Sequence, residues 1–314
     1  MTTALFTHPA CELHDPGPGH PESPARLRAV LAALEAPAFA RLARHAAPLA
    51  TEEQIARVHP PELIHHLLGA VPQEGYAMVD GDTILSPGSA EAELRAAGAL
   101  CAAVDAVMSG DARNAFCAVR PPGHHAEPET AMGFCLFNNV AIGALHARAV
   151  HGLTRIAVVD FDVHHGNGTQ AAFEADADLF FASSHQSPLY PGSGSVVERG
   201  VGNIFNAPLP PGAGSEEFRQ AWRERLLPAL RTFKPEFILI SAGFDAHADD
   251  PLANLNLTDE DYAWITREIL AIAEDCCDGR VVSTLEGGYD LEALARSVRA
   301  HVIELIQIKK VVKT

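Results

Sequence analysis

The sequence predicts a single α/β domain whose central, mostly parallel sheet carries helices on both faces. Three observations support this. Short apolar runs recur at 115–119, 156–160, 179–183, 237–242 and 280–285, which is how strands buried on both faces read. Longer stretches of helical composition separate them, and strands alternating with helices imply parallel pairing. No linker, internal repeat or low-complexity block interrupts the chain. One domain over 1–314 is therefore expected, with 307–314 as a disordered tail.

Taken in order, Leu5 and Phe6 open a short strand, and Cys11 to Pro24 is a loop rich in Pro, Gly and His. Ser23-Pro24 starts a helix to Glu35, with Pro at the first helical position. Thr51-Glu-Glu-Gln54 has the form of a capping box, and His65-His66 falls on a helix as exposed polar surface. A polar loop follows over 73–88, then an Ala-rich helix over 90–108. The strand at 115–119 leads through a loop (120–137) to a helix over 139–150. The strand at 156–160 precedes a short helix near 168–174. After the strand at 179–183, a Gly/Pro/Ser loop is expected from 186 to 214. Ser215 begins a helix to about Phe233, Thr258-x-x-Asp261 caps the helix after the 237–242 strand, and Asp290 to Ile306 is the last helix.

Composition narrows the function. The formal net charge is -17, a poor match to nucleic acid phosphates, which need basic patches. An acidic surface attracts cationic ligands, and equally it serves solubility alone. No apolar run reaches about 18 residues, so no membrane span is expected. The N-terminus lacks a basic region followed by a long apolar one. The six cysteines form no C-x-x-C pair, so reduced thiols and a cytoplasmic location are expected. Three of the four lysines fall in the last six residues; a native basic helix end and an altered terminus explain this equally well.

Ligands of open parallel sheets bind beyond the carboxyl ends of the strands, and there the chemistry collects. Asp160-Phe-Asp162-Val-His164 follows one apolar run, and alternation along an extended backbone would place the two acids and the imidazole on one face. Arg120-Pro-Pro-Gly-His124-His125, Gly243-Phe-Asp245-Ala-His247 and Glu286-Gly-Gly-Tyr289 follow three others. Each alone is also what a capped helix or polar loop produces; four reactive strand ends together point to a site. Buried acids need compensation, and a divalent metal supplies it, with carboxylate and imidazole as natural ligands. Asp162, His164 and Asp245 would give three ligands and an open position. His124 and His125 suit acid and base work, and Tyr289 could donate to a developing oxyanion. His185 and His247 read as structural.

These segments, with His20-Pro-Glu-Ser-Pro-Ala-Arg26, Gly133-Phe134-Cys-Leu-Phe-Asn-Asn139, His164-His-Gly-Asn167-Gly and Tyr190-Pro-Gly192, resemble the histone deacetylase superfamily. Its acetoin-utilisation proteins and acetylpolyamine amidohydrolases are included, and the Asn167 and Glu286-Gly-Gly-Tyr forms resemble its class II branch. The resemblance implies an arginase/deacetylase-like fold and hydrolysis of N-acetyl amides of lysine-like or polyamine amines. It implies one catalytic zinc ion on Asp162, His164 and Asp245, and a structural potassium ion on carbonyls near Asp160, Asp162, His164 and Ser183. Asp160 would orient His124. Asn167 stands where other branches carry Asp, and a neutral partner does not favour a protonated His125, leaving the division of protons between the histidines open. Tyr289 would polarise the scissile carbonyl. Gly133, Phe134 and Tyr190 would line the substrate channel, with Arg26 deeper inside. Asp80 or Asp82 would anchor substrate at the rim or simply be a solvated acid. The alternatives are an arginase-like binuclear manganese amidinohydrolase, disfavoured by His247 at the place of its second Asp, and a non-catalytic acyl-ligand-binding homologue. Substrate, acyl preference and oligomeric state are not legible.

Overall fold

The structure is a computed structural model in which residues 2–307 are described; the lysine-bearing end, 308–314, lies outside them. The elements run β1 (Thr2–Thr7), α1 (Pro24–Ala33), β2 (Ala43–Ala46), α2 (Glu52–Ile55), α3 (Pro61–Gly69), β3 (Ala77–Met78), β4 (Ile84–Leu85), α4 (Ser89–Ser109) and β5 (Ala112–Cys117). They continue with α5 (Asn139–His151), β6 (Ile156–Asp160), α6 (Asn167–Phe173), β7 (Leu179–Gln186), β8 (Ile204–Leu209), α7 (Ser215–Ala221), α8 (Leu227–Phe233), β9 (Phe237–Ala242), α9 (Asp259–Cys277), β10 (Val281–Leu285) and α10 (Leu291–Gln307).

Eight strands form one sheet in the order β2-β1-β5-β10-β9-β6-β7-β8, and every pairing is parallel. β3 and β4 form a separate small hairpin. Helices α4, α5 and α6 pack on one face, and α8, α9 and α10 on the other. β6, β9 and β10 are buried along their whole length, as continuous apolar strands covered on both sides must be. The four strands whose ends carry reactive residues, β5, β10, β9 and β6, are consecutive in the sheet. Their carboxyl ends therefore open onto one place.

Local chemistry explains most element ends. Thr51 and Gln54 close a full capping box on α2, and at α9 Asp261 accepts from both the backbone N–H and the hydroxyl of Thr258, at 2.9 and 3.0 Å. α4 and α5 end on left-handed Gly110 and Gly152, the conformation glycine adopts without penalty. His65 and His66 are exposed on α3.

Three expectations are corrected. The loop expected over 186–214 contains β8, an edge strand; its Asn206 and Pro208 obscure the apolar pattern, and an edge is where proline is tolerated in a sheet. The helix from Ser215 to Phe233 is interrupted by a π-helical stretch, Trp222–Leu226. Pro228 sits in the first turn of α8 and has no N–H to give the upstream carbonyl, so the ladder widens there. β5 begins at Ala112, before the apolar run: Ala112 and Asn114 pair with Thr2 and Thr3 of β1, and the buried Asn114 side chain is satisfied by donating to the Leu305 carbonyl at 3.0 Å.

A buried ionic cluster ties the N-terminal segment beneath the sheet's carboxyl edge. Glu22 accepts from Arg120 Nε at 2.5 Å and Nη2 at 2.6 Å, and from Arg26 Nη1 at 2.9 Å. His14 Nε2 lies 3.5 Å away. All four side chains are buried. Burial opposes ionisation of Glu22, but Arg120 and Arg26 outweigh it and hold its pKa at about 2. Removing the carboxylate leaves two buried guanidinium groups short of their counter-ion, a loss of about 3–5 kcal/mol. Glu22→Gln is therefore expected to lower unfolding free energy by that amount in urea titrations at pH 7. Glu22 is depressed in the folded state, so its contribution is complete above the unfolded value of 4.5 and fades as pH falls toward 2. The gap between wild type and variant should narrow over that interval; a gap under about 1 kcal/mol at pH 7 would contradict this cluster's role.

Candidate active site

β6 ends at Asp160, and Asp162 and His164 lie beyond it in a bend. They are aligned not by strand alternation but by successive side-chain turns. The Asp160 carboxylate accepts from the Asp162 N–H at 3.0 Å, and the Asp162 carboxylate accepts from the His164 N–H at 2.9 Å. Asp160 then turns toward His124, away from Asp245, and Asp162 and His164 meet the end of β9. His164 Nδ1 stands 3.1 Å from both Asp162 Oδ1 and Asp245 Oδ2. Ligand atoms of Asp162, His164 and Asp245 all lie within 4.8 Å of one another.

The surrounding backbone fixes these carboxylates. Gly287 N donates to Asp162 Oδ2 at 2.8 Å, and Val163 N to Asp245 Oδ1 at 2.8 Å. Two glycines make room. A Cβ at Gly243 would lie 2.0 Å from Asp162 Oδ2, and one at Gly287 would lie 2.1 Å from Asp245 Oδ2.

Charge in this pocket is unbalanced. Asp160, Asp162, Asp245 and Glu286 are all completely buried. Burial and the neighbouring Asp162 push Asp245 up to about 7. Burial alone would lower His164, but Asp162 and Asp245 raise it to about 10, so a proton on its ring substitutes for a cation between two acids. A carboxylate–imidazole–carboxylate set offers three protein ligands, which fits a divalent ion bound for catalysis better than a closed four-ligand structural site.

The tandem histidines face this set. His124 Nδ1 lies 2.9 Å from Asp160 Oδ2, and its Nε2 lies 3.8 Å from Asp162 Oδ1. His125 Nδ1 lies 2.8 Å from Asn167 Oδ1. Their ring centroids are 4.1 Å apart. Burial disfavours the charged form of both. For His124, Asp162 and Asp160 overcome burial and raise its pKa well above 6.5. For His125, burial and the nearby His124 and His164 push it well below that value. The division of protons is thus unequal.

Glu286, unassigned from the sequence, accepts from the backbone N–H of Gly123 at 2.7 Å and of His124 at 3.2 Å, and from Ser241 Oγ at 3.1 Å. It binds the tandem-histidine loop to β9 and β10. Asp250, also unassigned, accepts from Tyr289 N at 2.7 Å. Glu22 was likewise missed. Only its spacing of four from Arg26 hinted at a pairing.

The wall residues gather at the mouth. Met132 and Cys135 exchange two backbone bonds of 3.0 Å, with Gly133 at φ 59° and Phe134 at φ 67° between them. Two left-handed central residues make a type I′ turn. Phenylalanine rarely adopts that conformation, and such strain is often found at functional sites. The Phe134 ring meets Tyr289 at 6.0 Å and His20 at 4.8 Å between centroids. Tyr190 stands edge-on to His125 at 5.1 Å. Asp82 sits on the rim: its carbonyl accepts from His20, and the neighbouring Thr83 Oγ1 accepts from Phe134 N. Arg26 is deeper. Its Nε donates to Gly288 O at 2.6 Å, Nη2 to Glu286 O at 2.5 Å, and its guanidinium lies 4.8 Å from the Tyr289 ring centre. These contacts make it a brace for the Tyr289 turn.

His185 bonds Ser183 and the Gly194 carbonyl, and His247 Nε2 faces Asp259 at 3.2 Å; both are engaged away from the carboxylate set. Among the described residues one further group has metal-like spacing, Asp105, His146 and His151. There Arg57 Nη1 lies 3.0 Å from His146 Nδ1. A guanidinium only donates, so Nδ1 accepts and Nε2 carries the proton given to Asp105 at 2.8 Å. With His151 Nε2 at 2.7 Å, this group is a hydrogen-bonded clasp between α4 and α5.

Comparison with known proteins places the chain in a family. The family model described as the histone deacetylase domain matches residues 20–305. The chain belongs to the histone deacetylase family. It is 42% identical over 300 residues to histone deacetylase 14, chloroplastic, of Arabidopsis thaliana, covering 89% of this chain and 71% of that one. It is 39% identical over 310 residues to the histone deacetylase-like amidohydrolase of Pseudomonas aeruginosa, covering 91% and 81%. The crystal structure of the HDA15 HD domain superposes with a TM-score of 0.92 at 35% identity, over 98% of this chain and 89% of that one. Membership of this family supports a hydrolase acting on acyl amides. No helix among the described residues is long and apolar enough to cross a membrane.

The glycines give a direct test. Gly287→Ala pushes a methyl group into both carboxylates, so zinc affinity measured by competition with a chromophoric chelator should fall at least about 10-fold. Unchanged affinity would show that these carboxylates do not hold the ion.

Proposed function

We propose that this protein is a zinc-dependent deacetylase that hydrolyses N-acetyl amides of lysine-like or polyamine amines. The observation that carries the reading is the three-ligand set, Asp162, His164 and Asp245, with His124 Nε2 3.8 Å from Asp162, the His125 ring edge-on to His164 and Tyr289 close enough to feel both acids. An ion held there supplies Lewis-acid polarisation of the acyl carbonyl and of a water molecule.

The chain's own groups do the rest. His125 is neutral, with Nδ1 donating to Asn167, so Nε2 is free to take the proton of the attacking water and later return it to the leaving amine. His124, held toward its charged form beside Asp160, adds positive charge as negative charge develops. A cation on Asp162 cancels part of that carboxylate's pull, leaving Asp160 as the main partner of His124. Tyr289 stays protonated because burial raises its pKa well above 10, and it donates to the oxygen on which charge accumulates. Gly133 and Phe134 present a strained turn that walls the acyl-amine arm opposite Tyr190. Asp82 anchors the substrate at the rim. Arg26 lines the deeper end of the channel and braces the Tyr289 turn, and a potassium ion on carbonyls near Asp160 and Ser183 completes the reading.

The binuclear alternative needs further bridging carboxylates, whereas among the described residues the metal-like group at this site holds two, Asp162 and Asp245, and His247 is paired with Asp259. A single domain over 1–314 in the cytoplasm accommodates this reading.

Zinc-loaded protein is expected to release acetate from an acetyl-lysine peptide or an acetylpolyamine, to lose that activity on chelation, and to recover it with zinc. Tyr289→Phe should lower kcat at least about 10-fold. Full turnover after chelation, or an unimpaired Tyr289→Phe variant, would reject the mechanism.

A further inference from the structure

The two tandem histidines are backed differently. His124 faces a carboxylate directly, whereas His125 faces the amide of Asn167, and behind that amide stands Glu127. Asn167 Nδ2 donates to Glu127 Oε1 at 2.7 Å; it also lies 3.4 Å from the His125 carbonyl and 3.4 Å from Met132 Sδ. Every neighbour of that nitrogen is an acceptor. Glu127 is itself fixed, because its backbone exchanges two hydrogen bonds with Thr130, at 2.9 and 3.2 Å. The start of α6 is held against the same loop by Gly168 N and Thr169 N, which donate to the His124 carbonyl at 3.1 and 3.2 Å. The backbone on each side of the Asn167–Glu127 contact is thereby held in place.

Resting on the deacetylase reading, we propose that Glu127 is a positioning residue that locks the Asn167 amide and, through it, the tautomer of His125. An asparagine side chain can turn over and exchange its oxygen for its nitrogen at little steric cost. Turned over, Asn167 would set its oxygen against the Glu127 carboxylate and the His125 carbonyl, and would present N–H to His125 Nδ1. That ring would then have to carry its proton on Nε2, where no base could act. Glu127 makes the turned-over state repulsive. In the retained state Asn167 Oδ1 accepts from Nδ1–H and Nε2 keeps its lone pair. The arrangement fixes the tautomer as an aspartate would, while the negative charge sits one amide farther out, on a residue that is partly exposed. His125 is thereby kept from the direct carboxylate contact that favours protonation of His124.

The test has a kinetic and a spectroscopic arm, both on the full chain. Glu127→Ala should lower kcat about 10-fold, the scale seen when a partner orienting a site histidine is removed, with KM little changed. Asn167→Asp alone sets two carboxylates in the 2.7 Å contact and should lose more. Adding Glu127→Gln to it restores a donor opposite the new acid, and the double variant should recover at least about 10-fold over Asn167→Asp. A double variant no better than Asn167→Asp, or a Glu127→Ala variant with wild-type kcat, would overturn the proposal.

Independently of turnover, 15N NMR of histidine-labelled protein reads the His125 tautomer, its signals identified by their loss in His125→Gln. Wild type should show Nδ1 protonated and Nε2 bare, and Glu127→Ala should gain the Nε2–H form. An identical tautomer in both would overturn the lock. If the wild type has no acetamide turnover yet shows this tautomer shift, the lock stands and the deacetylase reading fails.

Discussion

Two carboxylates, Asp162 and Asp245, are held side by side with no exposure to water, and the rest of the site follows from that constraint. Like charges so close cannot both ionise in dry protein without a counter-charge. Backbone N–H groups from Val163 and Gly287 stabilise the acids but bring no net charge. A proton on His164 supplies one charge in the absence of an ion, and binding of an ion to the neutral imidazole would displace it. A divalent cation supplies the counter-charge, and the glycines at 243 and 287 keep the acids from being pushed apart.

The sheet makes this placement possible. β5, β10, β9 and β6 lie next to one another, so four distant segments deliver side chains to one opening. Glu286 then joins β10 and β9 to the tandem-histidine loop, and the Glu22–Arg120–Arg26 cluster braces both that loop and the Tyr289 turn. Breaking one of these buried polar links disturbs residues that touch the reaction only at second hand. The site is preorganised by charge pairing more than by apolar packing.

Much of this was legible in the sequence. Period and composition disclosed the buried parallel strands, and the rule that ligands bind at strand ends led to His124, His125, Asp162, His164, Asp245 and Tyr289. The geometric reason offered for Asp160, Asp162 and His164 was different from the one found, because the strand stops at Asp160 and side-chain turns take over. β8 was hidden because an edge strand tolerates Asn206 and Pro208 where a central strand would not. Glu286 and Glu127 could not be read, since a glutamate's partner depends on tertiary placement and leaves no periodic trace, and Glu22 showed only its spacing of four from Arg26. The left-handed Phe134 was equally invisible; nothing in its identity announces that backbone conformation.

The central claim, that the buried acids and His164 exist to grip a single ion, is tested most directly by calorimetric titration of zinc into metal-free protein. The account predicts one tight equivalent per chain, abolished by Asp245→Asn. Two tight equivalents, or one that survives Asp245→Asn unchanged, would contradict it.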